Sequence, residues 1–269
     1  MDTNNGPSRF DYAAVDPVAA TRAGRSWWDD NAQEYLAENG DFLGTAHFVW
    51  GPEGLTEREA QLLGPTNELR GKRILEVGAG AGQCARWLQT QGARIVASDF
   101  SHAMLSAGKV VGVPPLLQAD ARHLPFASGT FDAVFTSFGA IPFVPDAELI
   151  HAEAARVLRP GGRWVFSATH PARWMFPDDP TTHGTTIIRS YFARSPYVEF
   201  NRAGQVEYAE FHRTIGDHVR QVVGAGLQVL DLVEPEWPAD NSNVWGGWGP
   251  ERGALLPGTL IVVCQKPLA

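Results

Sequence analysis

The sequence predicts a doubly wound α/β fold, in which a parallel sheet carries helices on both faces. Short apolar stretches alternate with helical patterns between residues 73 and 167, and short glycine-containing turns join them. The stretches are almost continuously apolar, as expected of strands that are buried on both faces. Right-handed crossovers between such strands make neighbouring strands parallel.

Five strands are predicted in this central part of the chain. The helices between them have their own boundary signals, such as Ser101 as an N-cap and Gly92 as a stop. The predicted strands cover residues 73–77, 94–98, 115–118, 131–136 and 163–167, and the predicted helices cover residues 81–91, 101–105 and 146–158.

The N-terminal flank is less regular. Residues 1–16 are polar and are expected to be frayed, whereas a helix is predicted from about residue 16 to residue 39. Residues 40–54 are rich in glycine and aromatic side chains, which favours a loop or a lid over a strand. Thr56 and Glu59 have the spacing of a capping box and predict another helix start.

The C-terminal flank opens with an interruption of the alternation at residues 169–212. These residues are rich in aromatic, proline and polar side chains, which suggests an apolar or aromatic small-molecule substrate. Within them, residues 187–192 and 197–211 are expected to form an irregular hairpin. A helix at residues 215–225 and strands at residues 227–232 and 259–264 are predicted to follow.

Charge and composition restrict the partners. The net charge of −8 argues against a nucleic-acid partner, because phosphate binding requires clustered Lys and Arg. No apolar run approaches the ~18 residues that cross a bilayer, and the polar N-terminus lacks a secretory signal. We therefore expect a cytoplasmic protein without a membrane partner. Cys84 and Cys264 are expected in the core, with neither a disulfide framework nor metal ligands.

The turn after the first strand predicts a ligand site. Its spacing, Gly78-x-Gly80-x-Gly82, lets backbone approach a ligand at the carboxyl edge of the sheet. A dinucleotide fingerprint requires Gly or Ala where this chain has Gln83. Glu76 stands two residues upstream of the turn and favours a ligand group with positive charge, such as an ammonium or a sulfonium.

Two further acids follow the next strands. Asp99 ends the second strand, where a carboxylate can accept both hydroxyls of a ribose, and Asp120 ends the third, within reach of an adenine amino group. Each could instead cap the helix that follows it. Together with Glu76 and the glycines, they outline an adenosine-containing ligand without phosphate.

At this point residues 73–168 resemble the class I S-adenosylmethionine-dependent methyltransferases, especially the group of the ubiquinone and menaquinone biosynthesis enzymes. The resemblance covers little over a third of the chain. Its motifs, in order, are RILEVGAGAG at residues 73–82, SDFSHAML at 98–105, QADARHLPF at 118–126, FDAVF at 131–135 and VLRPGG at 157–162.

The resemblance implies cofactor-binding roles for matching positions. Glu76 and the backbone from Gly78 through Ala79 to Gly80 would face the methionine part of S-adenosylmethionine, and Asp99 the ribose. The adenine would lie between Phe100 and Met104, with Asp120 and Ala121 at its edge, while Ser137 and Phe138 would lie beside the cofactor near the substrate. Trp28 and Tyr35 share a face of the N-terminal helix, which often closes over the cofactor in related enzymes; hydrophobic packing explains this pair equally well.

The resemblance also completes the fold. It implies a Rossmann-like sheet of seven strands, with the last strand antiparallel, an N-terminal helical extension or lid at residues 1–70 and a methyltransferase domain at residues 71–269 with a substrate-side insert at about 169–212. The stretch 235–258 is too long for a simple hairpin connection. We expect it to pack back over the sheet edge through Trp237, Trp245 and Trp248.

The sequence leaves the acceptor and its activation open. Methyl transfer needs mainly in-line positioning and exclusion of water, and a general base is an additional requirement only for acceptors such as a hydroxyl or carboxyl group. His170, Glu210 and His212 are the candidates, and each is equally explained as a surface or hydrogen-bonded loop residue. The alternatives to a methyltransferase are a protein that binds S-adenosylmethionine without methyl transfer and a nicotinamide-dependent oxidoreductase.

Overall fold

The computed structural model describes residues 9–108 and 114–268, and it has two sheets. The larger sheet has seven strands in the order β4-β3-β2-β5-β6-β10-β9, and the smaller sheet has three in the order β1-β7-β8. The strands are β1 (Arg9–Tyr12), β2 (Arg73–Val77), β3 (Arg94–Asp99), β4 (Leu116–Gln118), β5 (Phe131–Thr136), β6 (Leu158–Thr169), β7 (Tyr197–Phe200), β8 (Val206–Glu210), β9 (Gln228–Val233) and β10 (Thr259–Gln265).

Seven α-helices accompany these strands in the described ranges. They are α1 (Pro17–Leu43), α2 (Glu57–Ala60), α3 (Gln83–Thr90), α4 (His102–Ala107), α5 (Ala147–Val157), α6 (Ile215–Gly224) and α7 (Pro250–Gly253). None of the helices in the two described ranges combines the length and the apolar character that crossing a bilayer requires.

The predicted doubly wound fold is confirmed. β2 pairs in parallel with β3 and β5, and β5 pairs in parallel with β6, whereas β10 is antiparallel to both β6 and β9. Successive residues of β2 point to opposite faces, so Ile74 and Leu75 belong to different core clusters. Leu88 of α3 packs in the cluster of Ile74, while Ile150 of α5 and Val222 of α6 pack in that of Leu75.

The N-terminal helix is longer than predicted and is well terminated. Asp16 caps it, since its carboxylate accepts the amide of Ala19 at 2.7 Å, and Pro17 occupies the first turn. Ala20 of α1 is buried against Val198 and Ala209, which belong to the smaller sheet. The predicted capping box of Thr56 and Glu59 is present at α2, which ends after one turn.

Two expectations about the flanks were wrong. Residues 9–12 are not frayed but form β1, which pairs antiparallel with β7; residues 1–8 lie outside the described residues. The hairpin of the insert is made by β7 and β8 alone, whereas residues 187–192 form no strand. Turn residues 201–205 close that hairpin locally, and the third strand comes from the distant N-terminus, a pairing that local sequence does not signal.

Candidate active site

A cavity that is open to solvent lies at the carboxyl ends of β2, β3 and β5, beneath α1, and together with its opening it holds about 1100 Å³ of empty space. The structure brings every predicted cofactor-binding residue to its wall. These residues are Trp28, Tyr35, Glu76, Gly78, Ala79, Gly80, Asp99, Phe100, Met104, Asp120, Ala121, Ser137 and Phe138.

Glu76 is a buried carboxylate with one free oxygen. It ends β2 with only 2% of its surface exposed, and its Oε2 has no hydrogen-bond partner among the described residues. Burial raises the pKa of Glu76 to about 8, and the charge of Asp99 adds to this, although the Ala85 amide and the Cys84 thiol act in the opposite direction. A buried acceptor without a donor is a costly arrangement, which a ligand ammonium group would relieve.

The glycine turn beside Glu76 excludes side chains. Gly78 and Gly80 have φ values of +66° and +53°, in the left-handed region that favours glycine. A Cβ atom on Gly78 would lie 3.0 Å from the amide nitrogen of Ala140, and one on Gly80 would lie 3.1 Å from the terminal methyl of Met104. The turn therefore presents only backbone to the cavity.

Asp99 connects this turn to the next helix. Its Oδ2 accepts the Gly80 amide at 2.8 Å, and its Oδ1 accepts the Ser101 amide at 2.8 Å. Burial raises the pKa of Asp99 to about 6 despite these hydrogen bonds, with a smaller contribution from Asp29 of α1. The carboxylate is thus held rigidly at the cavity wall, and its two oxygens retain lone pairs that can accept further hydrogen bonds.

Asp120 is held by an arginine. Arg122 donates to Asp120 at 2.7 Å and to Asp146 at 2.9 Å. Burial raises the pKa of Asp120, but the hydrogen bonds and charge of Arg122 outweigh it, so the pKa lies below its ordinary value. Asp120 therefore remains ionised at the cavity wall beside Ala121.

The loop after β5 has an unusual backbone. Phe138 and Ala140 have φ values of +54° and +38°, which non-glycine residues seldom adopt. The Ser137 hydroxyl donates to the Val49 carbonyl at 2.6 Å, and the Phe138 amide donates to the Ser167 hydroxyl at 2.8 Å. These bonds hold the loop in this conformation against the glycine turn.

Aromatic side chains form the rest of the wall. Trp28 and Tyr35 of α1 meet edge to face, with ring centroids 5.2 Å apart, and Phe143 lies 5.4 Å from Trp28. Trp245 lies 6.0 Å from Tyr35 and 5.5 Å from Phe42. Phe42, Phe143 and Trp245 were not predicted to lie in the site. The only signal for Phe42 and Trp245 was the aromatic enrichment of the irregular segments that contain them, and Phe143 lies in neither segment.

The stretch 235–258 carries three tryptophans in different environments. Asn241 donates to the carbonyls of Pro52 and Glu53, so the stretch lies against the loop that follows α1. Trp237 and Trp248 are buried, whereas Trp245 lines the cavity. The stretch therefore forms part of the cavity wall.

The three candidate bases do not reach the cavity. His170 accepts the Ala172 amide at 3.1 Å, and its Nε2 lies 2.7 Å from Glu234. His212 bonds the Tyr191 carbonyl at 2.7 Å, and Glu210 accepts the Tyr208 hydroxyl at 2.8 Å. None of them is among the described residues that line the cavity, because each is turned into the packing of the insert.

The chain is similar to known methyltransferases. Residues 75–166 match the family model described as a methyltransferase domain. Over 191 residues the chain is 37% identical to a demethylmenaquinone methyltransferase of Mycolicibacterium vanbaalenii, covering 71% of this chain and 77% of that protein.

Solved structures share its fold. An S-adenosylmethionine dependent methyltransferase from Mesorhizobium loti superimposes with a TM-score of 0.62 at 23% identity, covering 80% of this chain and 100% of the other. A 1,6-didemethyltoxoflavin-N1-methyltransferase from Burkholderia thailandensis, solved with 1,6-didemethyltoxoflavin and S-adenosylhomocysteine, has a TM-score of 0.61 at 17% identity and covers 99% of this chain and 97% of its own.

Proposed function

The chain belongs to the class I S-adenosylmethionine-dependent methyltransferases, in the group of the menaquinone and ubiquinone biosynthesis enzymes, and we propose that its acceptor is an apolar aromatic molecule with a phenolic hydroxyl. The predicted family, cofactor and reaction are confirmed: the chain transfers a methyl group from S-adenosylmethionine to a small-molecule acceptor. This replaces the alternatives of a silent binding protein and a nicotinamide-dependent oxidoreductase.

The site residues fit the cofactor. We assign the unpartnered Oε2 of Glu76 and the bare backbone of the glycine turn to the methionine end, and the rigid carboxylate of Asp99 to the ribose. Phe100 and Met104 would enclose the adenine. The edge of the adenine would meet Asp120 and Ala121. We also assign four further cavity residues to the cofactor: Trp28, Tyr35, Ser137 and Phe138.

The observation that carries the acceptor proposal is the apolar remainder of the cavity. Beyond the residues assigned to the cofactor, its wall is aliphatic or aromatic apart from Gln83 and backbone. An apolar wall of this kind favours burial of an apolar acceptor and contains no side chain that would pair with a charged acceptor. The members of this wall that carry the argument are Leu36, Phe42, Leu43, Phe143, Val144 and Trp245.

The wall also explains why a phenolic hydroxyl suits this site. Among the described residues that line it there is no histidine, lysine or cysteine. The Ser137 hydroxyl is committed to Val49, and burial raises the pKa of Tyr35 above its ordinary value. Without a general base in this wall, the acceptor has to ionise by itself. A phenol does so near pH ~10, like free tyrosine.

Bound S-adenosylmethionine supplies an electrophilic methyl group, whose bond to sulfur breaks as the acceptor forms its own bond to the methyl carbon. The chain positions the reacting groups and excludes water from the cavity. α1 covers the cavity, and the strained loop at Phe138 and Ala140 brings rigid backbone beside the glycine turn at Gly78.

The test is a product assay. The purified chain is incubated anaerobically with S-adenosylmethionine and either 1,4-naphthoquinol, catechol or ethanolamine, and S-adenosylhomocysteine and methylated product are measured by mass spectrometry. We expect methylation of the aromatic acceptors. The quinol should be preferred, because the similar proteins are named demethylmenaquinone methyltransferases. Methylation of ethanolamine alone would contradict the proposal, and reactions without cofactor are the control.

Three features of the wider protein remain part of this proposal. We assign residues 1–70 to a helical lid and residues 71–269 to the methyltransferase domain, since α1 covers the cavity formed at the sheet edge. We place the enzyme in the cytoplasm, which the two buried free cysteines Cys84 and Cys264 support. The net charge of −8 supports a partner other than nucleic acid.

A further inference from the structure

The geometry points to Trp245 as the residue on which the acceptor ring stacks, presented by a rigid turn that Arg252 anchors. This inference rests on the proposed aromatic acceptor and deepens it. It assigns a role to the segment WGGWGPER at residues 245–252, which lies outside the residues that match the methyltransferase family model.

The turn itself is tightly closed. The amide of Trp245 donates to the Trp248 carbonyl at 2.8 Å, and the amide of Trp248 donates to the Trp245 carbonyl at 2.9 Å. Gly246 has a φ of +53°, and a Cβ on Gly247 would lie 2.0 Å from Oδ1 of Asp178. Gly246 therefore adopts a backbone conformation that favours glycine, and Gly247 passes close to the Asp178 side chain of the insert.

The buried side chain of Arg252 holds the turn in place. Arg252 has 0% of its surface exposed, and its Nη1 donates to the Gly247 carbonyl at 3.0 Å and to the Pro177 carbonyl at 2.9 Å. Its guanidinium carbon lies 4.2 Å from the centroid of the Trp248 ring. Among the described residues Arg252 forms no ion pair, and its Nε and Nη2 have no hydrogen-bond partner. The bonds of Nη1 and the ring contact of the guanidinium therefore fix its position against the turn.

The two tryptophans of the turn have different environments. Trp248 is buried beneath Arg252, whereas Trp245 is half-buried and lines the cavity. Its described ring neighbours, Tyr35 and Phe42, meet it at interplanar angles of 78° and 65°. Neither lies parallel to Trp245, so in the described part of the chain no ring occupies the stacking position.

A planar acceptor can take that position. Aromatic pairs prefer offset stacking or edge-to-face contact, and a tryptophan held at both ends of its turn loses little freedom when a ring stacks on it. The side chain also lies among the apolar wall residues rather than in the cofactor motifs. Trp245 therefore selects planar aromatic acceptors and leaves cofactor affinity unaffected.

The test separates acceptor binding from cofactor binding. We expect Trp245→Ala to raise the KM for 1,4-naphthoquinol by about two- to tenfold, because a stacked aromatic pair contributes affinity beyond the burial of its area. Trp245→Phe retains a ring and should lie between the two. The dissociation constant for S-adenosylmethionine, measured by calorimetry, should not change. Val244→Ala, at an exposed neighbouring position, is the matched control and should alter neither quantity.

Arg252 is tested as a positioning residue. Arg252→Lys should raise the same KM, but it should add nothing in a chain that already carries Trp245→Ala, because both changes remove one contact. Additive effects would show that Arg252 acts on general stability and would overturn its role.

The outcomes distinguish this inference from the proposed function. Methylation of naphthoquinol with an unchanged KM in Trp245→Ala overturns the stacking role and leaves the function standing. A weaker affinity for S-adenosylmethionine with an unchanged acceptor KM places Trp245 over the cofactor and also overturns it. A chain that methylates only ethanolamine overturns both.

Discussion

Asp29 of α1 and Ser101, which caps α4, are joined by a hydrogen bond of 2.7 Å between the Ser101 hydroxyl and the Asp29 carboxylate. The same carboxylate oxygen accepts the Ala103 amide at 3.0 Å. The Ser101 hydroxyl in turn accepts the Met104 amide at 3.1 Å. One hydroxyl therefore links α1 to the helix that carries Met104, so the position of α1 is coupled to the cavity wall at Met104.

Removing that link should loosen the lid. We expect Asp29→Ala to weaken S-adenosylmethionine binding by about three- to tenfold, because two hydrogen bonds to a charged group are lost and closure must then be driven by ligand alone. Hydrogen exchange in residues 17–43 should become faster in the ligand-free chain. Asp30→Ala, at the exposed neighbouring position, is the control. Equal exchange rates in the two variants would show that Asp29 does not hold the lid.

Asp99 gives a prediction for the ribose. Asp99→Ala should weaken S-adenosylmethionine binding by ~1–3 kcal/mol through loss of a charge-assisted contact. Calorimetry measures it, with Asp231→Ala on the exposed side of β9 as the control. An unchanged affinity would show that the ribose is held elsewhere.

Glu76 gives a pH prediction for the ligand-free chain. Its folded pKa of about 8 is raised, so between its ordinary pKa of 4.5 and about 8 the folded state holds a proton that the unfolded state has released. Stability contributed by this group therefore falls as pH rises through that window. Glu76→Gln should remove this pH-dependent loss of stability. The variant should then be more stable than the parent at pH 9 by on the order of 2–4 kcal/mol, and the difference should vanish at pH 4. Urea unfolding at both pH values checks it, and a difference that grows toward low pH would contradict it.

His170 gives a prediction about catalysis. Because its ring caps the turn at Ala172 and contacts Glu234 outside the cavity, His170→Ala should lower the melting temperature while leaving the pH profile of kcat unchanged. Thermal unfolding and initial rates at several pH values measure the two effects. A kcat profile that loses a titration near neutrality would restore His170 as a base.

Much of the central fold was predictable because its determinants are local. The strands at residues 73–77 and 131–136 are apolar runs bounded by turns, and burial on both faces leaves them little choice of structure. The part of the cavity wall that we assign to the cofactor was predictable for a related reason. Gly78, Glu76 and Asp99 stand at or just after the carboxyl ends of strands, and parallel strands place these ends at one edge.

The acceptor side was not predictable from local patterns. Trp245 reaches the cavity because Arg252 holds its turn against the insert, and the hydrogen bond from Arg252 to the Pro177 carbonyl spans far more chain than any periodicity covers. The strand β1 likewise exists only because β7 is there to pair with it. Three of its four residues are exposed, so no buried face marks it as a strand in the sequence.

The sequence by itself determined the sheet, the glycine turn and the acids at its edge, since alternating apolar runs, glycines and strand-end carboxylates act through short-range geometry. Tertiary structure alone decided which aromatic side chains close the cavity and which candidate bases stay out of it. The physical reason is that Trp245 lies within an irregular segment and His170 stands at the start of another. Their direction depends on hydrogen bonds and buried charges supplied by distant parts of the chain.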